Sequence, residues 1–285
     1  MKLGLLPPYR GTSVAESDWV RSFCAMAEEE EIESIWAVEH VVVPTDYGST
    51  YPYDDSGRMP LRGDDPIPDP LEWIAFAAGL TSRVIFGTAI LILPEHNPVH
   101  LAKRLATIDV LSGGRLRLGI GVGWLREEFD AVGVPFERRG ARTDEYVAAL
   151  RTLWSEDVAS FDGEFVRFER VRSRPQPTRP GGVPILVGGH SPAAARRAGR
   201  LGDGFYPLGV PAAELGALLD IMRASAADAG RDPDAVEVTT ASPRDADEAR
   251  ALADLGVSRF LLSVKPEGGR ESVQRYRERV LSALA

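Results

Sequence analysis

Short apolar runs and amphipathic helical segments alternate along the chain. The run at 84–91 is continuous and rich in branched aliphatic residues, which is typical of a strand buried on both faces. Residues 16–31 instead place Val20, Phe23, Cys24 and Ala27 at helical spacing. Apolar runs predict strands at 2–6, 34–38, 84–91, 115–120, 183–187, 204–208, 236–240 and 259–264. Further helices are predicted at 98–111, 142–154, 192–201, 214–229, 245–256 and after 268.

This alternation predicts an α/β fold with a parallel sheet, because parallel strands need a crossover between them. Eight βα units in 285 residues favour a closed (β/α)8 TIM barrel, as one domain over 1–285. Two stretches interrupt the pattern, 41–69 after strand 2 and 160–180 before strand 5. The second contains a predicted hairpin turn at 161–165. The first is a candidate lid over the barrel mouth, or alternatively a surface loop or dimer contact.

Composition narrows the classes of partner. Acidic residues outnumber basic ones by 42 to 33, and the net charge of −9 argues against nucleic acid. The apolar stretch at 84–93 is too short to span a membrane, and the N-terminal run ends at Pro7-Pro8, too early for a signal peptide. The single cysteine, Cys24, fits a reducing compartment. We therefore expect a cytoplasmic protein, and the sequence suggests a homodimer.

Glu39 and His40 stand where strand 2 is predicted to end. A histidine at the carboxyl end of a barrel strand is well placed as a general acid or base, because imidazole titrates near neutral pH. Adjacent strand residues point to opposite faces, so both side chains face the barrel axis only if the strand is already turning. The alternative interpretation is a hydrogen-bonded core histidine.

A glycine-rich segment, Gly119 to Trp124, follows the fourth predicted strand. It fails the dinucleotide fingerprint, because Trp124 and Arg126 occupy the two possible positions of the third glycine. What it offers is a strand end where the backbone can approach a flat ligand closely. Trp124 is then either a wall of that site or a packing residue.

A second such segment, Gly188-Gly189-His190-Ser191-Pro192, follows strand 5 and opens a helix. Free backbone N–H groups at a helix N-terminus bind phosphate, so this segment is a candidate phosphate site. A plain N-cap role for Ser191 is the alternative. A serine nucleophile is disfavoured, because Pro192 lacks the N–H that would form half of an oxyanion hole.

His96 and His100 have the i, i+4 spacing of a metal pair. However, Asn97-Pro98 is predicted to begin a helix between them, which leaves His96 outside that helix. Neither the HExxH pattern nor a cysteine cluster accompanies them. We therefore predict no metal site.

Further motifs extend in order along nearly the whole chain. They include Gly87-Thr88-Ala89-Ile90-Leu91, Asn97-Pro98, Ala106-Thr107-Ile108-Asp109, Leu111-Ser112-Gly113-Gly114-Arg115, Leu118 to Trp124, Glu127-Glu128-Phe129 and Gly202-Asp203-Gly204-Phe205. This constellation resembles the bacterial luciferase-like monooxygenase superfamily. The short length and the motifs are most similar to its branch of coenzyme F420-dependent oxidoreductases.

The resemblance implies a TIM barrel that holds a flavin or deazaflavin at the carboxyl-terminal mouth. Glu39 and His40 would lie near the reactive ring, with His40 as proton donor or acceptor. Ala89-Ile90 falls where the family often has a non-prolyl cis peptide behind that ring. Cofactor contacts are also implied for Val122, Gly123, Trp124, Gly188, Gly189, His190 and Ser191.

The function implied is hydride transfer between the deazaflavin C5 and a small-molecule substrate. An FMN-dependent monooxygenase that uses reduced flavin and oxygen is the alternative, and a non-catalytic cofactor carrier is a third. Relatives that oxidise glucose 6-phosphate have Asp at position 39, Glu at position 124 and a lysine after strand 6. This chain has Glu39 and Trp124, and its segment 207–210 offers no cation. We therefore predict that it does not oxidise that sugar.

Overall fold

The computed structural model of the chain describes residues 1–9, 13–265 and 269–284. Its strands are β1 (Lys2–Leu6), β2 (Ser34–Ala37), β3 (Ile85–Thr88), β4 (Leu91–Ile92), β5 (Leu116–Gly121), β6 (Ala159–Asp162), β7 (Arg167–Val171), β8 (Ile185–Gly188), β9 (Gly204–Tyr206), β10 (Glu237–Ala241) and β11 (Val257–Ser263). Its helices are α1 (Ser17–Glu29), α2 (Pro70–Ala78), α3 (Pro98–Leu111), α4 (Arg126–Val132), α5 (Arg139–Ser155), α6 (Pro192–Leu201), α7 (Ala212–Asp228), α8 (Ala246–Asp254) and α9 (Gly269–Arg279).

Parallel pairing closes a (β/α)8 barrel. In order around the barrel the strands are β1, β2, β3, β5, β8, β9, β10 and β11, and β11 pairs with β1. The predicted fold is therefore confirmed. No described helix is long and apolar enough to cross a membrane.

The third barrel strand differs from the prediction. One continuous strand was expected over 84–91, but β3 ends at Thr88 and β4 begins at Leu91. The two are joined through a cis peptide bond between Ala89 and Ile90, at the position that the resemblance implied. The neighbouring strand accommodates this break with Gly119, where a Cβ would lie 1.9 Å from the Thr88 carbonyl oxygen.

Helix capping follows the sequence closely. Asn97 caps α3 by accepting from the N–H groups of Val99 and His100, with Pro98 as the first helical residue.

Helix α5 begins at Arg139, earlier than the predicted 142, and α4 is an addition to the predicted pattern. The hairpin expected in 160–180 is confirmed as the antiparallel pair β6–β7.

The barrel interior is filled by Trp36, Leu186, Tyr206 and Leu261, which pack together as a buried cluster. Gly87 makes room for the indole, because a Cβ there would lie 2.4 Å from Trp36. Side chains of this size make the barrel a packed core below its mouth. Within the described part of the barrel, the space for a ligand therefore lies at the carboxyl ends of the strands.

The amino-terminal end of the barrel holds a buried ion-pair group. The Arg259 side chain is 2% exposed and donates to Glu33 Oε1 at 2.7 Å and to Glu237 Oε2 at 2.8 Å. Burial alone would raise the pKa of Glu33, but the adjacent guanidinium outweighs it and holds that pKa below its usual value. This group lies away from the mouth and serves stability.

Candidate functional site

A cavity of about 1010 Å³ opens at the carboxyl ends of the barrel strands. Its walls come from strand ends, from the first turn of α6 and from the segment 41–69, which we call the lid segment. Every site residue predicted from the sequence lines this cavity. They are Glu39, His40, Ala89, Ile90, Val122, Gly123, Trp124, Gly188, Gly189, His190 and Ser191.

Glu39 and His40 both face the cavity because β2 ends at Ala37, before they are reached. The chain is therefore no longer bound by strand alternation at these positions. The Glu39 carboxylate accepts from the Ile92 N–H at 2.5 Å and lies 2.9 Å from His96 Nε2. From the sequence, His96 was predicted to be at most half of a metal pair. Its partnership with Glu39 was missed, because the two residues are 57 positions apart and no local pattern links them.

His40 is held by a residue that the sequence analysis did not assign to the site. Glu128, at the start of α4, is fully buried, and its Oε2 lies 2.9 Å from His40 Nδ1. Its Oε1 accepts from the N–H groups of Val41 at 2.6 Å and Val42 at 3.3 Å. An ionised carboxylate only accepts hydrogen bonds, so Glu128 places the ring proton on Nδ1 and leaves His40 Nε2 for the cavity.

The preceding residue, Glu127, anchors the lid segment further along. Its Oε1 accepts from the Gly48 N–H at 2.6 Å, and its Oε2 accepts from the Ser49 hydroxyl at 2.7 Å. Two adjacent carboxylates on the first turn of α4 thus fix the lid segment at two points. The only sequence signal was the Glu127-Glu128 pair itself, which equally suits the positive end of a helix dipole.

Aromatic side chains line the mouth of the cavity. The Trp124 ring meets Tyr51 and Tyr47 edge-on, with ring centroids 5.2 and 5.7 Å apart, and His40 at 6.4 Å. Tyr53 lies 4.8 Å from the His190 ring. Burial raises the pKa of Tyr51 to about 12, so its hydroxyl stays protonated at neutral pH.

Glycines shape the floor of the cavity around Ile90. A Cβ at Gly121 would lie 1.7 Å from the Ile90 Cδ1 atom, and one at Gly188 would lie 2.7 Å from its Cγ2 atom. The absence of side chains at these positions leaves room for Ile90 beneath the mouth. This shape suits a flat ligand that rests against the backbone at Ala89-Ile90.

The segment after β8 has the features expected of an anion site. Ser191 caps α6 by accepting from the Ala194 N–H at 3.2 Å, and Gly189 adopts a φ of +119°. His190 Nδ1 is buried and has no hydrogen-bond partner among the described residues. Arg197 also lines the cavity, one turn into the helix, and pairs with Asp144. A helix N-terminus and an unpartnered ring nitrogen together suit a phosphate oxygen.

Glu95 is a buried carboxyl near the site that the sequence analysis missed. Both of its oxygens lack a hydrogen-bond partner among the described residues. Burial, followed by the negative charges of Glu128 and Glu39, raises its pKa to about 9. Glu95 is therefore neutral at physiological pH.

Within the described ranges, no group of three or more His, Cys, Asp or Glu side chains is arranged to hold a metal ion.

Comparison with known proteins gives both family and fold. The family model described as luciferase-like monooxygenase matches residues 1–282. An uncharacterised protein of Mycobacterium tuberculosis is 32% identical over 263 residues, covering 91% of this chain and 92% of that protein. A solved F420-dependent secondary alcohol dehydrogenase, in complex with an F420–acetone adduct, matches with a TM-score of 0.78 and 18% identity, over 100% of this chain and 99% of that chain. At that identity the likeness shows the fold alone.

Two further relatives carry named activities and match shorter stretches. An F420-dependent glucose-6-phosphate dehydrogenase of Kineococcus radiotolerans is 35% identical over 188 residues, which is 64% of this chain and 50% of that protein. An FMNH2-dependent dimethylsulfone monooxygenase of Pseudomonas putida is 37% identical over 134 residues, which is 46% of this chain and 37% of that protein. Relatives of this chain thus use either of two related cofactors.

Proposed function

Because the chain belongs to the luciferase-like monooxygenase family, we propose that it is an oxidoreductase that uses coenzyme F420 to exchange a hydride with a small organic substrate. The proposal rests on one observation, namely that a single cavity brings the required groups together. It combines an imidazole fixed by a buried carboxylate, a glycine-shaped floor and an anion site at a helix N-terminus. Hydride transfer to or from a deazaflavin requires a site that accepts the flat ring and a group that manages the accompanying proton, and an anion site can bind the cofactor's phosphate.

The residues present fit such a cofactor. The floor at Ala89-Ile90 would lie behind its ring, and Val122 and Gly123 would contact its side chain. Gly188, Gly189, His190 and Ser191 would hold its phosphate, where the partnerless His190 nitrogen and the N-terminus of α6 lie. When bound, the deazaflavin supplies two-electron hydride chemistry at its C5.

The chain's own residues manage the proton and exclude water. Glu128 holds the His40 ring by Nδ1, so Nε2 is the nitrogen that takes up or donates the proton of the substrate. Glu39 is buried beside it and is bound by His96 and the Ile92 N–H. The anchored lid segment shields the mouth from solvent, which strengthens electrostatic interactions within it.

An FMN-dependent monooxygenase is the second candidate, supported by the Pseudomonas putida relative. The glucose 6-phosphate activity of the Kineococcus relative is not proposed for this chain. Glu39 and Trp124 replace the side chains that the resemblance implies for that substrate, and segment 207–210 carries no cation. Purified protein should therefore show no turnover of glucose 6-phosphate.

We also propose that the protein is a cytoplasmic homodimer. Light scattering on the purified protein tests the oligomeric state.

Separate titrations with F420 and with FMN test the cofactor, with tryptophan fluorescence as the signal. Trp124 lines the cavity, so bound cofactor should quench it, and a Trp124→Phe variant should lose that part of the quench. Selective F420 binding supports the proposal. Preference for FMN would favour the monooxygenase, and binding of neither would contradict both.

A further inference from the structure

The part of the cavity beside His40 is lined by an aromatic subsite, which we define as Tyr51, Tyr53 and Trp124, of which Tyr53 is partly open to solvent. The Tyr51 ring lies 5.2 Å from Trp124 and 5.4 Å from Tyr53, and Trp124 in turn meets the His40 ring at 6.4 Å. All four side chains line the same cavity. Whatever exchanges a proton with His40 therefore lies against aromatic rings.

Contacts within the chain fix the position of the aromatic subsite without a ligand. Tyr51 and Tyr53 lie two and four residues after Ser49 in the lid segment. The backbone N–H groups of Gly48 and Ser49 both bind the Glu127 carboxylate. Ser49 additionally accepts from the Arg126 N–H through its hydroxyl at 3.0 Å. The subsite is thus preformed, as specific small-molecule sites usually are.

The charged side chains that line the cavity either bind other residues of the chain or lie at the solvent-exposed rim of the cavity. Arg139 donates to the Gly123 carbonyl oxygen at 3.0 Å, and Arg197 pairs with Asp144 on the side of α6. Glu39 is occupied by two donors. Lys265 is exposed and follows the end of β11. A charged group packed against these rings would lose part of its hydration, and Tyr51, Tyr53 and Trp124 supply no counter-charge, which makes its binding costly.

Resting on the proposed function, we propose that the substrate is an uncharged molecule with a planar ring system, which packs against Tyr51 and Trp124 beside His40. A planar ring can add to this cluster through the tilted and edge-on contacts that aromatic pairs prefer. The protonated Tyr51 hydroxyl offers a hydrogen bond to a neutral oxygen of such a ligand. With about 1010 Å³, the cavity reaches the upper end of the usual range for ligand sites and has space for a ring beside a cofactor.

Calorimetric titration with 2-naphthol and 2-naphthoate tests this proposal, because the two probes share a ring system and differ in charge at neutral pH. We expect 2-naphthol to bind at least about tenfold more tightly. Tyr51→Leu and Trp124→Leu should each weaken 2-naphthol binding by about 5- to 20-fold. Phe168→Leu is the matched control, since it removes a ring from the β6–β7 hairpin, away from the cavity, and should leave binding unchanged.

Three results would overturn the proposal. One is equal or tighter binding of 2-naphthoate, with Lys265→Ala showing whether the rim cation is responsible. The second is unchanged 2-naphthol binding in both leucine variants, once circular dichroism shows them folded. The third is loss of 2-naphthol binding at saturating F420 or FMN, which would place the ring in the cofactor position. Because these titrations measure probe binding, failure of the cofactor proposal is detected separately.

Discussion

Glu128→Gln tests whether the buried carboxylate sets the state of His40. The Glu128 Oε1 position accepts two backbone N–H groups, from Val41 and Val42, so the amide oxygen must take that place. The amide NH2 then faces His40 Nδ1, where the carboxylate Oε2 lay at 2.9 Å. An NH2 group only donates, so the ring proton must move to Nε2, the nitrogen left for the cavity.

The size of the effect follows from two contributions. A hydrogen bond to a charged group is worth about 1.5–3 kcal/mol against about 0.5–1.5 kcal/mol for a neutral one, so the protonated ring loses about 1–2 kcal/mol of stabilisation. Enforcing the wrong tautomer costs more, about 10⁴-fold in kcat in the corresponding serine protease variant. We expect kcat to fall by about 10²- to 10⁴-fold, with cofactor affinity unchanged.

The decisive measurement is nitrogen NMR of histidine-labelled protein, which reports the tautomer without turnover. The chain has only 4 histidines, so a His40→Gln variant assigns the signal. Glu127→Gln is the matched control, because it makes the same change one residue earlier and contacts the lid segment but not His40. If Glu128→Gln leaves the His40 tautomer and kcat as in the wild type, Glu128 does not position His40.

Four further variants test the energetics of the fold. Since the pKa of Glu95 is about 9 when folded against an ordinary 4.5, folding takes up a proton, and this contribution to stability is lost as pH rises between those values. Glu95→Gln should remove this fall in stability with pH, so that above about pH 8 the variant melts at a higher temperature than the wild type. Melting temperatures of the two proteins that change in parallel from about pH 5 to 9 would contradict the raised pKa of Glu95. Arg259→Met leaves Glu33 without its guanidinium partner and Glu237 with Lys2 alone, and should cost about 3–5 kcal/mol in urea unfolding. A neutral result would mean that the ion pairs of Arg259 add nothing to stability. Gly119→Ala should destabilise by about 3 kcal/mol, because its Cβ would lie 1.9 Å from the Thr88 carbonyl oxygen. Gly216→Ala, with 3.8 Å of clearance in α7, should instead stabilise by about 0.5–1 kcal/mol, and equal melting temperatures for the two would refute the close approach.

The sequence by itself determined the barrel and the place of the site. Alternation of apolar runs and amphipathic helices is a local property, and closure follows from the number of units. Glu39, Gly123 and Ser191 all follow predicted strands, and the carboxyl ends of parallel strands meet at one face. Their gathering around one cavity was therefore predictable without knowing a single long-range contact.

Only the tertiary structure decided how the gathered side chains are paired. His40 and Glu128 are 88 residues apart, and Glu39 and His96 are 57 apart, so no local pattern links them. The pKa of Glu95 depends on burial and on neighbouring carboxylates, which exist only once the chain has folded. The break after Thr88 likewise depends on glycines of the adjacent strand, because local propensity there favours a continuous strand. Hydrogen bonding and burial depend on which groups lie close together in space, and closure of the barrel determines which groups these are.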